Sequence, residues 1–257
     1  MSEDNKRLNE VFVELIRDKK ISSQIRLKKA QYLVKLGADV NAKLYGKSAL
    51  SWAEEMGDND VIKYLKQSGG KSWVISEAEV KKLGEELIEA VNTGKAKEDI
   101  EALIKKGADV EAKDNMERTP LMLASREGLG EIVDLLIKRG VQIDARDSRG
   151  WTALMFASSA GRDSLIDKLI VKGANVNAMA DNNSTALMLA SYWGKENAVV
   201  KLIEKEADLS VKNNDGRTAL DNASLKGHKR VEEILRKAQK EKRSKFWKQF
   251  LTGKTRL

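Results

Sequence analysis

The chain has 257 residues, of which 41% are hydrophobic and 33% are charged, and its formal net charge is +8. This apolar content is enough for a folded core and argues against global disorder. The absence of cysteine excludes disulfides and thiol chemistry, and the single histidine, His228, excludes metal sites built on histidine pairs. No apolar run approaches the length of a membrane span, and the charged start MSEDNKRLNE does not resemble a secretory signal, so we expect a cytoplasmic protein.

The positive charge is concentrated at the carboxyl end. Residues 236–257 hold nine basic residues and one acidic residue, whereas residues 1–235 hold 38 of each sign. The isoelectric point near 9.4 is therefore due to the basic residues of the tail, since the charges of the body sum to zero. A neutral body of mixed charge is not expected to bind nucleic acid specifically, or polyanions in general.

A unit of about 33 residues repeats along the chain. Each regular unit opens with a threonine that can cap a short helix, followed at fixed offsets by a leucine, an alanine and a glycine suited to a chain reversal. A second helical pattern follows and ends in a segment such as GADVEA or GANVNA. A unit this short cannot bury its own apolar face, so stacking of neighbouring units must supply the core. The capping threonines are Thr119, Thr152, Thr185 and Thr218.

These motifs resemble the ankyrin repeat, in which a TPLH element opens the first helix and GADVNA follows the second. The resemblance implies an all-α fold with short β-hairpin-like loops, arranged as an ankyrin-repeat α-solenoid of about seven repeats. Two features depart from the family pattern. Only Pro120 keeps the proline of TPLH, and its histidine is replaced in the regular repeats. We interpret the methionines at that position, Met122, Met155 and Met188, as core residues.

In chain order, the pattern predicts six segments. The first is expected to be a capping repeat whose outer face meets water. The third carries an insertion, and we expect a bend in the solenoid near residues 69–77. The segments are an N-terminal capping repeat (1–42), an ankyrin-like repeat (43–75), an irregular cap-like repeat (76–113), three regular repeats (114–212), a C-terminal repeat (213–240) and a basic amphipathic tail (241–257).

The sequence holds no convincing catalytic site. The glycines recur singly and form no phosphate-binding loop. The Asp and Asn residues of the GADVNA segments recur with the repeat, which favours turn formation over cation binding. His228 follows the glycine that recurs in each repeat, and this position favours a structural role over a catalytic one. We therefore predict a protein that is not an enzyme, with no cofactor, no metal and no small-molecule substrate.

The resemblance instead implies binding of another protein. Ankyrin-type repeats bind partners on a concave face built from the hairpin tips and the exposed sides of the inner helices. Trp, Tyr and Arg residues at such positions are typical interface anchors, and we expect those around Trp151 and Trp193 to lie close together. The alternative is isolated surface aromatics or a local clamp on the next hairpin. The predicted partner-binding residues are Tyr45, Met116, Arg118, Arg126, Arg149, Trp151, Tyr192, Trp193 and Arg217.

The tail supports a second function. Its aromatic residues pair at helical spacing among basic residues, a pattern that fits capping of the last repeat, an anionic membrane surface or a groove of a partner. The alternative function is therefore a peripheral membrane tether whose repeats present a cargo protein. The residues expected to act in the tail are Lys242, Arg243, Lys245, Phe246, Trp247, Lys248, Phe250 and Leu251.

Overall fold

The computed structural model describes residues 3–72 and 74–251, with the side chains of residues 4–72, 74–242 and 244. This part of the chain is all-α, with fourteen helices and one two-stranded hairpin. It divides into two compact units, Met1–Leu87 with Glu98–Ala112, and Ile88–Lys97 with Lys113–Leu257. The predicted third repeat, residues 76–113, contributes to both units, so the unit boundaries do not coincide with the predicted repeat boundaries.

The first unit consists of two helix pairs around a hairpin, followed by a less regular helix pair. The first helix packs on the second and third, and the fourth packs on the second and third. Phe12, Ile16 and Leu65 are fully buried in this core. The elements are α1 (Glu3–Arg17), α2 (Ser23–Lys35), β1 (Lys43–Leu44), β2 (Lys47–Ser48), α3 (Ala49–Met56), α4 (Asn59–Gln67), α5 (Glu77–Asn92) and α6 (Lys97–Lys106); α5 continues into the second unit.

A buried ion pair joins α2 to the start of α4. The guanidinium of Arg26 contacts the carboxylate of Asp58, and both side chains are almost completely buried. The Ser23 hydroxyl donates to Asp58 Oδ1 at 2.6 Å, and the Val61 N–H donates to the same atom at 3.3 Å, which caps α4. Arg26 also donates to two backbone carbonyls of the turn before α2. Burial raises the pKa of Asp58, but the hydrogen bonds from Ser23, Arg26 and Val61 and the charge of Arg26 outweigh it, so the pKa lies below its usual value.

The insertion after α4 pairs with the hairpin of the first unit. Val74 forms an antiparallel bridge with Lys47, and the Ile75 N–H donates to the Gly46 carbonyl at 2.8 Å. Gly46 and Gly107 approach so closely that a Cβ on Gly107 would lie 2.7 Å from the Gly46 Cα, and both have left-handed φ, of 74° and 112°. Only glycine fits this contact. The bend near residues 69–77 remains a prediction.

The second unit repeats one helix pair four times. The inner helices α7, α9, α11 and α13 pack on one another in that order, each inner helix packs on its own outer helix, and α12 packs on α10 and α14. The helices are α7 (Pro120–Glu127), α8 (Gly130–Lys138), α9 (Ala153–Ala160), α10 (Asp163–Val171), α11 (Ala186–Tyr192), α12 (Glu196–Glu204), α13 (Ala219–Leu225) and α14 (Lys229–Leu251).

Small and apolar residues make this stacking possible. The alanine of each inner helix is completely buried, which lets neighbouring helices approach closely. The methionines in the place of the TPLH histidine are also buried, so their interpretation as core residues is confirmed. The buried alanines are Ala124, Ala157, Ala190 and Ala223, and the buried methionines are Met122, Met155 and Met188.

The start of each inner helix shows how the missing histidine is replaced. The hydroxyls of Thr119, Thr185 and Thr218 cap their helices as predicted, whereas Thr152 makes no side-chain cap bond. The carboxylate of Asp221 accepts hydrogen bonds from the N–H and the hydroxyl of Thr218, both at 2.8 Å. The sulfur of Met122 accepts a weaker bond from the Thr119 N–H at 3.4 Å. Hydrogen bonds to Asp221 and Met122 therefore replace part of the local hydrogen bonding that a histidine at this position would provide.

One repeat lacks the glycine that ends the outer helix elsewhere. Gly140 and Gly173 follow their outer helices with φ of 82° and 103°, and Glu206 occupies the same position with φ of 63°. A residue with a Cβ costs roughly 1–2 kcal/mol in this left-handed conformation. Glu206 therefore places a local strain in the second unit.

Replacing Glu206 by glycine is expected to raise the free energy of unfolding by about 0.5–1 kcal/mol, because glycine adopts this conformation without strain but gains entropy in the unfolded chain. Urea unfolding followed by circular dichroism measures the change. Glu206→Ala is the matched control: it removes the same carboxylate but keeps the Cβ, so no such gain is expected. An equal gain in both variants would locate the effect in the side-chain charge instead.

Replacing Asp58 by alanine is expected to lower the free energy of unfolding by about 3–5 kcal/mol, because Arg26 is then buried without its counter-charge. The double variant Arg26→Met, Asp58→Leu should cost much less, since both charges are removed together. A double variant as unstable as Asp58→Ala in urea titrations would show that the ion pair is not the cause.

The same pair gives a pH dependence. The folded pKa of Asp58 is lowered, so its stabilising contribution is complete above the unfolded value of about 3.9 and is lost as the pH falls through the folded pKa. In acid titrations the Asp58→Asn variant should therefore lose less stability below about pH 4 than the wild-type chain does.

Candidate protein-binding surface

The loops before the inner helices of the second unit form a regular row. One backbone hydrogen bond joins each loop to the next, at intervals close to the repeat length. Because the donors and acceptors are backbone groups, these bonds do not depend on the side chains of the residues that make them. The bonds run from the Ser148 N–H to the Met116 carbonyl (3.0 Å), from Asp181 to Arg149 (3.0 Å) and from Asn214 to Asn182 (2.9 Å).

An acidic or amide side chain at the start of three of these loops fixes their conformation. The Asp147 side chain is completely buried and accepts hydrogen bonds from the N–H groups of Arg149 (2.9 Å) and Trp151 (2.8 Å). Asp114 and Asn213 accept equivalent bonds in their own loops. The loop conformation in turn sets the direction of the arginine and tryptophan side chains that follow.

Asp114 is also electrostatically coupled to its loop. Burial raises the pKa of its carboxyl, but hydrogen bonds from the Arg118 side chain and from the N–H groups of Arg118 and Met116 bring it below the usual value. The Arg118 guanidinium lies 2.6 Å from Asp114 and is partly buried. Arg118 is therefore engaged within its own loop, as Arg217 is with Asp215 at 3.2 Å.

A first aromatic group lies in the fifth repeat and consists of Trp151, Phe156 and Arg149. The Trp151 ring meets the buried Phe156 ring edge to face, with centroids 5.3 Å apart. The Arg149 guanidinium lies over the Trp151 ring, 4.3 Å from its centroid, and also bonds Asp147 at 3.0 Å. Trp151 is half-buried, and its ring contacts both the buried Phe156 ring and the Arg149 cation.

A second aromatic group consists of Tyr192, Trp193 and Lys226. The two rings meet edge to face at 5.3 Å, and the Lys226 ammonium lies 4.5 Å from the Tyr192 centroid. Trp193 is 54% exposed. The His228 ring bonds the Tyr192 carbonyl at 3.1 Å, which agrees with the structural role expected of this histidine.

These aromatic residues form two groups of contacts, and their expected closeness across two neighbouring repeats remains a prediction. Among the described residues, no ring contact joins the Trp151 group to the Tyr192 group. Lys226, which was not among the predicted anchors, joins the second group. The repeat register places it on the same exposed side, one repeat length after Trp193, but the preference for Trp, Tyr and Arg as anchors leaves this lysine out.

Three other predicted residues differ in how far their side chains are free to contact a partner protein. Met116 is exposed at a loop tip. Arg126 is half-buried and bonds Glu127 at 2.7 Å. Tyr45 belongs to the first unit, where its hydroxyl bonds Glu14 at 3.0 Å and the Arg17 guanidinium lies 4.4 Å from its ring centroid. Tyr45 is therefore held in contacts within its own unit.

The tail is only partly described. The backbone of α14 is helical to Leu251, and Lys242 is exposed. The side chains of the other tail residues singled out by the sequence lie outside the described residues: Arg243, Lys245, Phe246, Trp247, Lys248, Phe250 and Leu251. Among the described residues, no helix is both long enough and apolar enough to cross a membrane.

The fold and this surface define a helical repeat protein whose units match a known family. Residues 87–180 and 154–245 match the model described as ankyrin repeats (3 copies). These matches cover more than half of the chain, which therefore belongs to the ankyrin-repeat family. Ankyrin repeats are generally protein–protein interaction modules, and proteins built from them are typically non-enzymatic scaffolds. No curated protein matches the chain.

Proposed function

We propose that the chain is a non-catalytic scaffold or adaptor that binds a partner protein through the loops and inner helices of its second unit. The observation that carries this proposal is the Trp193 ring, which is more than half exposed and yet held edge-on by Tyr192. An exposed tryptophan in a fixed orientation is a typical binding anchor, because it buries a large area at a small cost in entropy.

The scaffold around this anchor is ordered before binding. The loop-to-loop hydrogen bonds and the carboxylate of Asp147 hold the backbone, and Lys226 packs over Tyr192. A surface that is already ordered loses little conformational freedom on association, which favours affinity. The Lys226 ammonium lies beside the Tyr192 ring, so the best partner combines an apolar side chain for Trp193 with a carboxylate for Lys226.

Replacing Trp193 by alanine is expected to weaken the complex with the partner protein about 10- to 100-fold, which corresponds to roughly 1–3 kcal/mol, while the melting temperature stays nearly unchanged. Trp193 is the suitable probe because its ring is largely exposed, whereas removing Trp151 would also uncover Phe156. Affinity purification with the wild-type chain identifies the partner, and calorimetry with the purified pair measures the change.

Val171→Ala is the control variant, because Val171 is 75% exposed on the outer helix α10, away from the loops and inner helices. It should bind like the wild type. Equal binding by the Trp193→Ala variant and the wild type would contradict the proposed surface.

A second candidate function is the peripheral membrane tether. Its support is the excess of basic residues after residue 235, together with a helix α14 of 23 residues where α8, α10 and α12 have nine each. Each basic residue near an anionic membrane surface contributes about 1 kcal/mol, and the aromatic residues of the sequence would add apolar contact. In this function the repeats present the bound protein at the membrane.

The full chain is expected to sediment with vesicles that contain phosphatidylserine, and a chain that ends at Ala238 is expected to stay in solution, because it lacks most of the basic residues of the tail. Vesicles of phosphatidylcholine alone test the dependence on charge. The Trp193→Ala variant should sediment like the wild type. Equal sedimentation of the full and shortened chains would exclude the tail as the membrane anchor.

A further inference from the structure

The outer surface of α2 in the first unit carries a stripe of large apolar side chains. Ile25 is 50% exposed, Tyr32 is 62% exposed and Leu36, at the end of the helix, is 54% exposed. Their spacing of seven and four residues places them on one face of the helix. The outer face of the N-terminal cap is expected to meet water, and the exposed face of α2 is apolar at its centre.

The register of the repeats shows what these positions do elsewhere. Aligned on the ends of the outer helices, Tyr32 corresponds to Lys168 and Lys201, and Leu36 corresponds to Lys205. In the second unit each of these lysines contacts an aspartate of the preceding outer helix. Positions equivalent to Tyr32 and Leu36 therefore face a neighbouring helix. The contacts are Lys168–Asp134 at 2.6 Å, Lys201–Asp167, and Lys205–Asp167 at 3.6 Å.

The charged residues of the segment that carries this stripe have one sign. Residues 19–36 contain six basic residues and no acidic residue, although the body as a whole is neutral. Arg26 points inward to Asp58. The other five are exposed around the stripe: Lys19, Lys20, Lys28, Lys29 and Lys35. An apolar centre inside a basic border selects for an acidic border on whatever packs against it.

We propose that this α2 face binds an acidic amphipathic helix of a partner protein. The partner helix lies along α2, inserts its apolar side chains between Ile25, Tyr32 and Leu36, and places carboxylates against the lysines. Two copies of this chain do not satisfy the face, because two α2 helices bring lysines against lysines. The proposal concerns the first unit and does not rest on the function proposed for the second.

The test measures binding of a fluorescent synthetic peptide to the full chain. The peptide is a helix with leucines at i, i+3, i+4 and i+7 and glutamates beside them; a second peptide has lysine in place of every glutamate. Fluorescence anisotropy should show binding of the acidic peptide only, weakened by added salt. Tyr32→Ser with Leu36→Ser, and Lys28→Glu with Lys29→Glu, should each weaken binding roughly tenfold or more.

Two matched controls carry the same changes at other exposed sites. Val171→Ser with Val200→Ser alters exposed apolar residues of the outer helices α10 and α12, and Lys138→Glu with Lys172→Glu alters exposed lysines of the second unit. Both should bind like the wild type, and all variants should keep the wild-type circular dichroism spectrum. The proposal is overturned if the acidic peptide does not bind, if it binds the α2 variants as well as the wild type, or if the α2 changes abolish sedimentation with phosphatidylserine vesicles and leave peptide binding unchanged.

Discussion

The stacking of short helix pairs is the constraint on which the rest of the structure depends. A pair of helices of seven to nine residues cannot shield its own apolar side, so each inner helix is covered by the next one. In the second unit this contact is made by completely buried alanines and methionines. The close approach of the helices explains why the family histidine can be lost. Hydrogen bonds to Asp221 and, more weakly, to Met122 take its place in two repeats, while packing in the others holds the helices together.

The same stacking prepares a surface for recognition. The helices bring successive loops to a constant spacing, the backbone bonds join them, and buried carboxylates such as Asp147 set the course of each loop. The side chains between these fixed points have no role in the core. Such positions can carry side chains such as Trp193 or Lys226, which lie at the surface and not in the core.

The repeat period made most of the fold predictable, because the capping threonines, buried leucines and turn glycines recur at fixed offsets in the sequence. The site was predictable only in outline. Tyr45 has the position of a binding residue, yet its partners Glu14 and Arg17 come from α1, and only the folded chain brings them together. The apolar stripe of α2 was hidden for another reason. The charges of residues 1–235 sum to zero, and this total does not reveal that residues 19–36 contain no acidic residue.

The loop-to-loop hydrogen bonds of the second unit also determine what a ligand meets when it binds the loops. Each of these bonds connects only adjacent loops, so every loop is positioned by its immediate neighbours. Small differences in orientation between successive repeats add up along the row, while the conformation of each loop is preserved. A ligand that spans several loops therefore contacts positions whose spacing the backbone sets, and one that touches a single loop is recognised by the side chains of that loop alone.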